Sequence, residues 1–423
     1  MSKKHNIYFI SYFYPPVKAV GTLRNYYLSH LFSKYGYDVS VYGGYPLGYR
    51  NYEDFEISDD IKYKRTFALD YHIFDFYIAK QRSRNSKISH TTGPSFKSYF
   101  PFNILIGEGG FFYIFINLFR LIFQIRKIDI LWTSYSPYSD LFIASILKMI
   151  KPSIFWVTDW RDVDIDIDWP DNKRTEREKK INNFFFKRCN LVVSVSNGYL
   201  KHTKKYADHS YLLRNGILDL NTNMKPLSAE KFSLTYVGGL YGGRRNPEPI
   251  FKAIAHHVKD GLISKQDIEL NYAGSEGNLY KELSKKWGLD ECIIDHGMVT
   301  FEKSQELQRN SSMNLMITWS TDAMGTFPAK FFEYINSGRP ILLLILGSAD
   351  QEFDTIFDAS EIGSLVYDKD ESIIEEEVKS ILTQWKSGVL HASTAMEERE
   401  KYSLDNSFRI FENELLGHIN STQ

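Results

Sequence analysis

Short apolar runs alternate with longer stretches in which apolar residues recur every three or four positions, and the rhythm runs through most of the chain. An apolar run bounded by polar or turn residues suits a strand buried on both faces of a parallel sheet. Ile7–Tyr12 is the first such run. A helical spacing of Leu28, Leu31 and Phe32 follows over Leu23–Tyr35 and is ended by Gly36. Asp38–Tyr42, Asp129–Thr133, Ile154–Val157 and Leu191–Val195 read as further strands, and Leu212–Gly216 closes this half. Residues 45–102 are aromatic, basic and without period, which predicts long loops with short elements. A polar stretch, Asp219–Lys231, holds Pro226 and reads as a linker. Beyond it the rhythm restarts with strands at Ser233–Val237, Glu269–Ala273, Asn314–Ile317 and Pro340–Leu346, a helix over Pro247–Val258, and helical spacing over Met396–Ile419. Such alternation predicts an α/β chain of two successive Rossmann-like domains. Their boundaries are expected at 1–220 and 221–399, followed by a terminal helix over about 400–423.

Length agrees, since 423 residues exceed one ordinary core and suit two. A net charge of −1 excludes a whole-molecule field for nucleic acid, so an anionic ligand must meet a local group of bases. Cys189 and Cys292 cannot build a disulfide framework, and no Cys/His spacing fits zinc; both read as thiols of a reducing cytosol. The start of the chain shows no secretory pattern. Ile104–Ile125 is broken by Glu108 and Arg120 and is too polar to span a bilayer. Phe111–Ile125 is expected instead as an amphipathic helix able to touch a membrane surface.

Chemistry concentrates in three places. In Val237–Pro247 a strand runs into Gly238, Gly239, Gly242 and Gly243, then Arg244 and Arg245, with Asn246 expected as helix N-cap and Pro247 as first helical residue. Glycines admit a ligand close to the backbone, a helix N-terminus offers free N–H groups to an anion, and arginine grips phosphate bidentately. The spacing is not the GxGxxG of nicotinamide dehydrogenases. In Gly325–Tyr334, Pro328 suits a first helical turn, and Lys330 and Glu333 share one helix face. Lys330 can neutralise a diphosphate while Glu333 accepts two ribose hydroxyls; alternatively the two form a surface ion pair. The third place is Thr158–Asp162, after the strand end at Val157, where parallel sheets bind ligands. Asp164, Asp166 and Asp168 alternate with apolar residues, but Ile167 and Lys173 stand where a calcium loop needs Gly and Glu. That run reads as an exposed edge, and no metal site is expected. His256 and His257 are adjacent, cannot share a helix face, and read as structural.

With these residues in order, the chain resembles the retaining glycosyltransferases of family 4, which have the GT-B fold of two Rossmann-like domains facing a central cleft. The residues that carry the resemblance span nearly the whole length. They are Tyr14-Pro15-Pro16 with the Gly21 loop, Ser134–Pro137, Asp159–Asp162, Ser194–Gly198, Arg214–Gly216, the Gly239 loop, Pro328–Tyr334 and Gly338-Arg339-Pro340. The resemblance implies a nucleotide-sugar donor held mainly by the C-terminal domain, with Arg245 and Lys330 as diphosphate-binding bases and Glu333 on the ribose. Gly21 would pack its backbone against the diphosphate, and Gly239, Arg244 and Thr326 would complete the donor side. Ser136 and Arg161 would face the acceptor, and Asp159 would join Arg245 and Lys330 as a catalytic residue. The terminal helix would cross back to the first domain.

Two departures stand out. Gly325 occupies the place of the family's first glutamate, and Asp159 stands in the loop of its acceptor-side histidine. The implied activity is metal-independent, cofactor-free transfer to a glycan or lipid-linked acceptor in bacterial-type surface-polysaccharide synthesis. It would take place in the cytoplasm, with peripheral membrane contact. A catalytically weak nucleotide-sugar-binding or scaffold protein, and a nucleotide-sugar epimerase, are the alternatives.

Overall fold

The computed structural model describes residues 5–17, 20–47, 56–70, 107–135, 137–161, 180–222, 230–320, 327–388, 390 and 395–422. They form two compact units, Met1–Arg214 with Phe408–Gln423, and Asn215–Ser407.

The first unit is built on seven parallel strands: β1 (Asn6–Ser11), β2 (Asp38–Pro46), β3 (Lys62–Ala68), β4 (Ile130–Tyr135), β5 (Phe155–Trp160), β6 (Leu191–Ser194) and β7 (Ser210–Leu212). Their order is β3-β2-β1-β4-β5-β6-β7, so the winding reverses between β1 and β4. Helices α1 (Val20–Lys34), α2 (Gly110–Ile122), α3 (Tyr138–Ile150) and α4 (Asn197–Thr203) belong to it. Successive strand residues point to opposite faces. Ile7, Phe9, Ile130 and Trp132 therefore pack with Leu28 and Phe32 of α1, while Tyr8, Ile10, Leu131 and Tyr135 pack with Tyr113 of α2 and Leu141 of α3. Because both faces are covered, central strands read as unbroken apolar runs.

The second unit has β8 (Phe232–Val237), β9 (Ile268–Ala273), β10 (Ile293–Asp295), β11 (Met313–Ser320), β12 (Ile341–Gly347) and β13 (Gly363–Tyr367) in the order β10-β9-β8-β11-β12-β13. Its helices are α5 (Glu248–Lys259), α6 (Gly277–Lys285), α7 (Phe301–Arg309), α8 (Lys330–Ser337), α9 (Gln351–Asp358), α10 (Glu371–Lys386) and α11 (Met396–Lys401). The last helix, α12 (Leu404–Thr422), is separate from α11. The break falls where Ile217 pairs with the chain at Ser403, and a Cβ on Gly216 would lie 2.5 Å from the Leu404 nitrogen. From Phe408 onward α12 belongs to the first unit, where Phe408, Phe411, Leu415 and Ile419 join the core under α1.

Among the described residues four strands escape the sequence pattern, one of them the three-residue β7, of which only Leu212 lies in a segment singled out above. β3 lies inside the stretch expected as loops; it is an edge strand whose Lys62, Lys64 and Arg65 hide the alternation. β10 has three residues, and β13 is only half-buried. The amphipathic reading of Phe111–Ile125 also needs correction. α2 buries Tyr113, Ile114, Asn117 and Leu121, yet exposes Phe111, Phe112, Phe115, Phe119 and Ile122. Its polar residues serve the inner side: Asn117 Oδ1 accepts from Thr66 at 2.7 Å, and Arg120 donates to Thr66 Oγ1 at 2.9 Å. Among the described residues, no helix is long and apolar enough to cross a membrane.

Candidate functional site

In the second unit the winding reverses at β8, which has β9 on one side and β11 on the other. Open α/β sheets bind ligands beyond the carboxyl ends of strands at such a point. The glycine loop stands there. Tyr241, Gly242 and Gly243 all have positive φ (53°, 66° and 91°), a conformation that side chains resist and glycine accepts. Asn246 Oδ1 accepts from the Glu248 N–H at 3.0 Å, as the expected capping side chain, while the Pro247 carbonyl takes the first backbone bond of the helix from Phe251 at 3.2 Å, so α5 starts one residue later than the pattern predicts.

Arg245 folds back over this loop. Its guanidinium carbon lies 4.7 Å from the Tyr241 ring centroid and 5.1 Å from that of Trp319 at the end of β11. Its Nε is buried and has no hydrogen-bond partner among the described residues. Beneath it the Tyr236 hydroxyl donates to the Gly239 carbonyl at 2.9 Å, and burial pushes that hydroxyl up to about 12 against the pull of Arg245. Arg244 is exposed.

α8 carries the second cluster. Lys330 Nζ and Glu333 Oε2 are 2.5 Å apart, with side chains 32% and 21% exposed, and Gln308 of α7 donates to the same oxygen at 3.4 Å. The Tyr334 hydroxyl accepts from the Val237 N–H at 3.0 Å, which ties α8 to the end of β8. Burial raises the Tyr334 pKa well above the usual phenol value; Glu333 raises it further and Arg245 lowers it. Arg245 and Glu333 therefore influence one hydroxyl with opposite sign, although 88 positions separate them in the chain (333 − 245).

Sequence reasoning missed Glu276. Its Oε2 accepts the N–H groups of Leu240 and Tyr241 at 2.6 and 3.0 Å, and its Oε1 accepts that of Gly242 at 2.7 Å. The signal was Gly274-Ser275-Glu276-Gly277 directly after β9, the same strand-to-glycine pattern as in the loop it touches.

In the first unit Gly21, Asp159 and Arg161 come together. Asp159 lies within β5, not in the loop after it, and is fully buried. Arg24 of α1 meets it with two bonds of 2.8 and 3.0 Å, and also donates to the Leu213 and Arg214 carbonyls at 2.7 and 3.2 Å. Arg161 Nε is 3.9 Å from the same carboxylate, and its Nη1 donates to the Gly21 carbonyl. A Cβ on Gly21 would sit 2.5 Å from that Nη1, so glycine here leaves room for Arg161. Two guanidiniums thus surround one carboxylate, a net positive charge at the carboxyl end of the sheet. Arg24 carried no motif and was not anticipated. Ser136, Thr326, Gly325 and the aspartates of 162–168 lie outside the described residues.

No protein-family model matches the chain, and no curated protein matches it in sequence. Solved structures do match. The N-terminal domain of Candida albicans trehalose-6-phosphate phosphatase aligns with a TM-score of 0.65 at 11% identity, over 99% of this chain and 98% of that one. S. aureus TarM, solved as a point mutant in complex with Fondaparinux, alpha-GlcNAc-glycerol and UDP, aligns with a TM-score of 0.58 at 11% identity, over 99% and 100%. WaaG, a glycosyltransferase involved in lipopolysaccharide biosynthesis, aligns with a TM-score of 0.52 at 13% identity, over 95% and 97%. The fold is GT-B. Both parallel sheets are the Rossmann-like halves of that architecture, and its neighbours are of the kind the sequence resemblance pointed to. At these identities the GT-B likeness is one of fold.

Proposed function

We propose that the chain is a retaining glycosyltransferase that moves a sugar from a nucleotide-sugar donor to a glycan or lipid-linked acceptor in cell-surface polysaccharide synthesis. The second unit takes the donor and the first unit the acceptor. The observation that carries this reading is the placement of Arg245 and the Lys330–Glu333 pair around the end of β8, at the reversal of the sheet. Cleaving the bond from the anomeric carbon to the diphosphate puts negative charge on the leaving phosphate. Fixed cations aimed there bind the transition state more strongly than the ground state. Arg245 and Lys330 supply that charge from side chains, without a metal in the step. The diphosphate draws Lys330 away from Glu333, whose carboxylate then accepts the ribose hydroxyls. On the acceptor side Arg161 lines the approach, and Asp159 holds its guanidinium and that of Arg24. UDP bound to TarM on the same fold supports this choice of ligand class.

Titrating UDP, GDP and ADP in turn by calorimetry, in the presence of EDTA, tests the reading. One of them should bind. Glu333→Gln should weaken that binding by about 1.5–3 kcal/mol, the scale of hydrogen bonds to a charged group. A surface ion pair alone would contribute under about 1 kcal/mol to stability and leave binding untouched. Equal affinities would remove Glu333 from the ribose; no binding by any of the three would sink the donor site.

The same reading places the enzyme in the cytoplasm against the inner face of a membrane, through α2. Phe115, Phe119 and Phe123 are 60%, 59% and 76% exposed, an outward apolar face uncommon on a monomer. Lys151 bonds to the Arg126 and Ile128 carbonyls, which sets the exposed Met149 and Ile150 of α3 beside the end of that face. Arg126 and Lys127 are exposed there, and no Asp or Glu occurs between Glu108 and Asp129. Apolar insertion beside basic residues favours an anionic lipid surface. The protein should float with vesicles of phosphatidylglycerol and phosphatidylcholine but not with phosphatidylcholine alone, and Phe115→Asp with Phe119→Asp should leave it in the soluble fraction. Flotation unchanged by the double substitution would remove α2 from the contact.

A further inference from the structure

We propose that Glu276 is a positioning residue of the donor site, whose carboxylate fills the anion-binding nest of the glycine loop and so fixes the guanidinium of Arg245. The role given to Arg245 rests on the function proposed above; the lock itself does not. Consecutive backbone N–H groups in a tight turn form a concavity that accepts anions. Here the three of Leu240, Tyr241 and Gly242 converge within 2.6–3.0 Å of a carboxylate that belongs to the chain itself. They are therefore not offered to a donor phosphate, which is left to side-chain cations.

Contact geometry shows how the lock reaches the arginine. Glu276 grips the peptide groups on both sides of Tyr241, which stands at φ 53°. The Tyr241 ring lies against the Arg245 guanidinium at 4.7 Å, and the Arg245 N–H closes the loop on the Leu240 carbonyl at 2.9 Å. Glu276 is itself held, since its N–H donates to the Tyr272 hydroxyl at 3.0 Å. The turns after β8, β9 and β10 interlock around it. Gly238 N–H bonds to the Ala273 carbonyl, and Gly274 N–H to the Gly297 carbonyl, each at 2.9 Å. A Cβ on Gly274 would collide with the Gly238 carbonyl, so that position must be glycine, and one on Gly277 would force the Asp295 carboxylate aside.

The test reads amide hydrogen exchange of Leu240, Tyr241 and Gly242, with UDP as probe, in the full chain. Glu276→Ala should speed exchange of the three amides about tenfold or more and weaken UDP about tenfold, as expected when charge-assisted bonds are lost. Glu276→Gln keeps one accepting oxygen and should recover part of both. Arg245→Ala should cost less UDP affinity in the Glu276→Ala background than alone, because the guanidinium is already misplaced. Unchanged exchange would overturn the lock. Faster exchange with UDP affinity lost in Arg245→Ala but kept in Glu276→Ala would overturn the positioning role. Faster exchange with UDP affinity kept in both variants would leave the lock and overturn the donor site instead. The wild type supplies a check that needs no variant: UDP should leave the three amides protected, and their release on binding would make Glu276 a displaceable placeholder and overturn the proposal.

Discussion

Arg245→Ala should lower turnover by about 10²–10³-fold, the scale of losing one preorganised donor to a developing negative charge. The size of the effect follows from how little freedom this side chain has. Its guanidinium lies over the rings of Tyr241 and Trp319, whose planes cross at 82°, so it is bounded on two sides before any ligand arrives. Its Nε finds no hydrogen-bond partner among the described residues. Charge held in this way meets the leaving phosphate without reorganisation, so the loss should fall on kcat more than on KM. Arg245→Lys keeps the charge but neither the planar fork nor the stacking, and should recover only part of the rate. Steady-state release of nucleoside diphosphate from a panel of nucleotide-sugars measures this. Wild-type turnover in folded Arg245→Ala would take the residue out of the reaction.

The second large effect is on stability, in the first unit. Asp159→Ala should cost about 3–5 kcal/mol, the range for removing one partner of a buried ion pair. Asp159 is fully buried and Arg24 nearly so, and Arg161 adds a second positive charge close by. Without the carboxylate, two guanidiniums stay in a place that water hardly reaches, and Arg24 loses its charged partner while keeping the carbonyls of Leu213 and Arg214. Asp159→Asn preserves the shape with half the accepting capacity and no charge, and should fall between. Urea unfolding followed by a probe in the first unit reads the loss as a lower midpoint. Unchanged stability with lost turnover would instead assign Asp159 a direct part in the reaction.

Much of this protein was legible along the chain because local rules decide it. Strands buried on both faces must be apolar throughout, so β1, β4, β5, β8 and β12 announce themselves. Glycines and a cap residue before a helix mark an anion-competent loop wherever the loop ends up. Lys330 and Glu333 share a helix face by spacing alone. The strands that stayed hidden are those for which the rule does not apply: β3 at a sheet edge with its basic residues, the three-residue edge strands β7 and β10, and the half-buried β13.

Tertiary structure decided what depends on partners far apart in sequence. Asp159 and Arg24 are 135 positions apart, and nothing local in either segment declares that they meet. Glu276 lies 36 residues beyond the first amide it binds, and its role exists only because β8 and β9 are neighbours in the sheet. The order of strands put Arg245 and α8 together at the reversal of the second sheet. It also left the phenylalanines of α2 facing outward, since the spacing of apolar residues predicts a helix but cannot say which side the sheet will cover. A pattern of residue types fixes local conformation through backbone and burial preferences, whereas ion pairs, nests and exposed faces are set by which elements pack side by side.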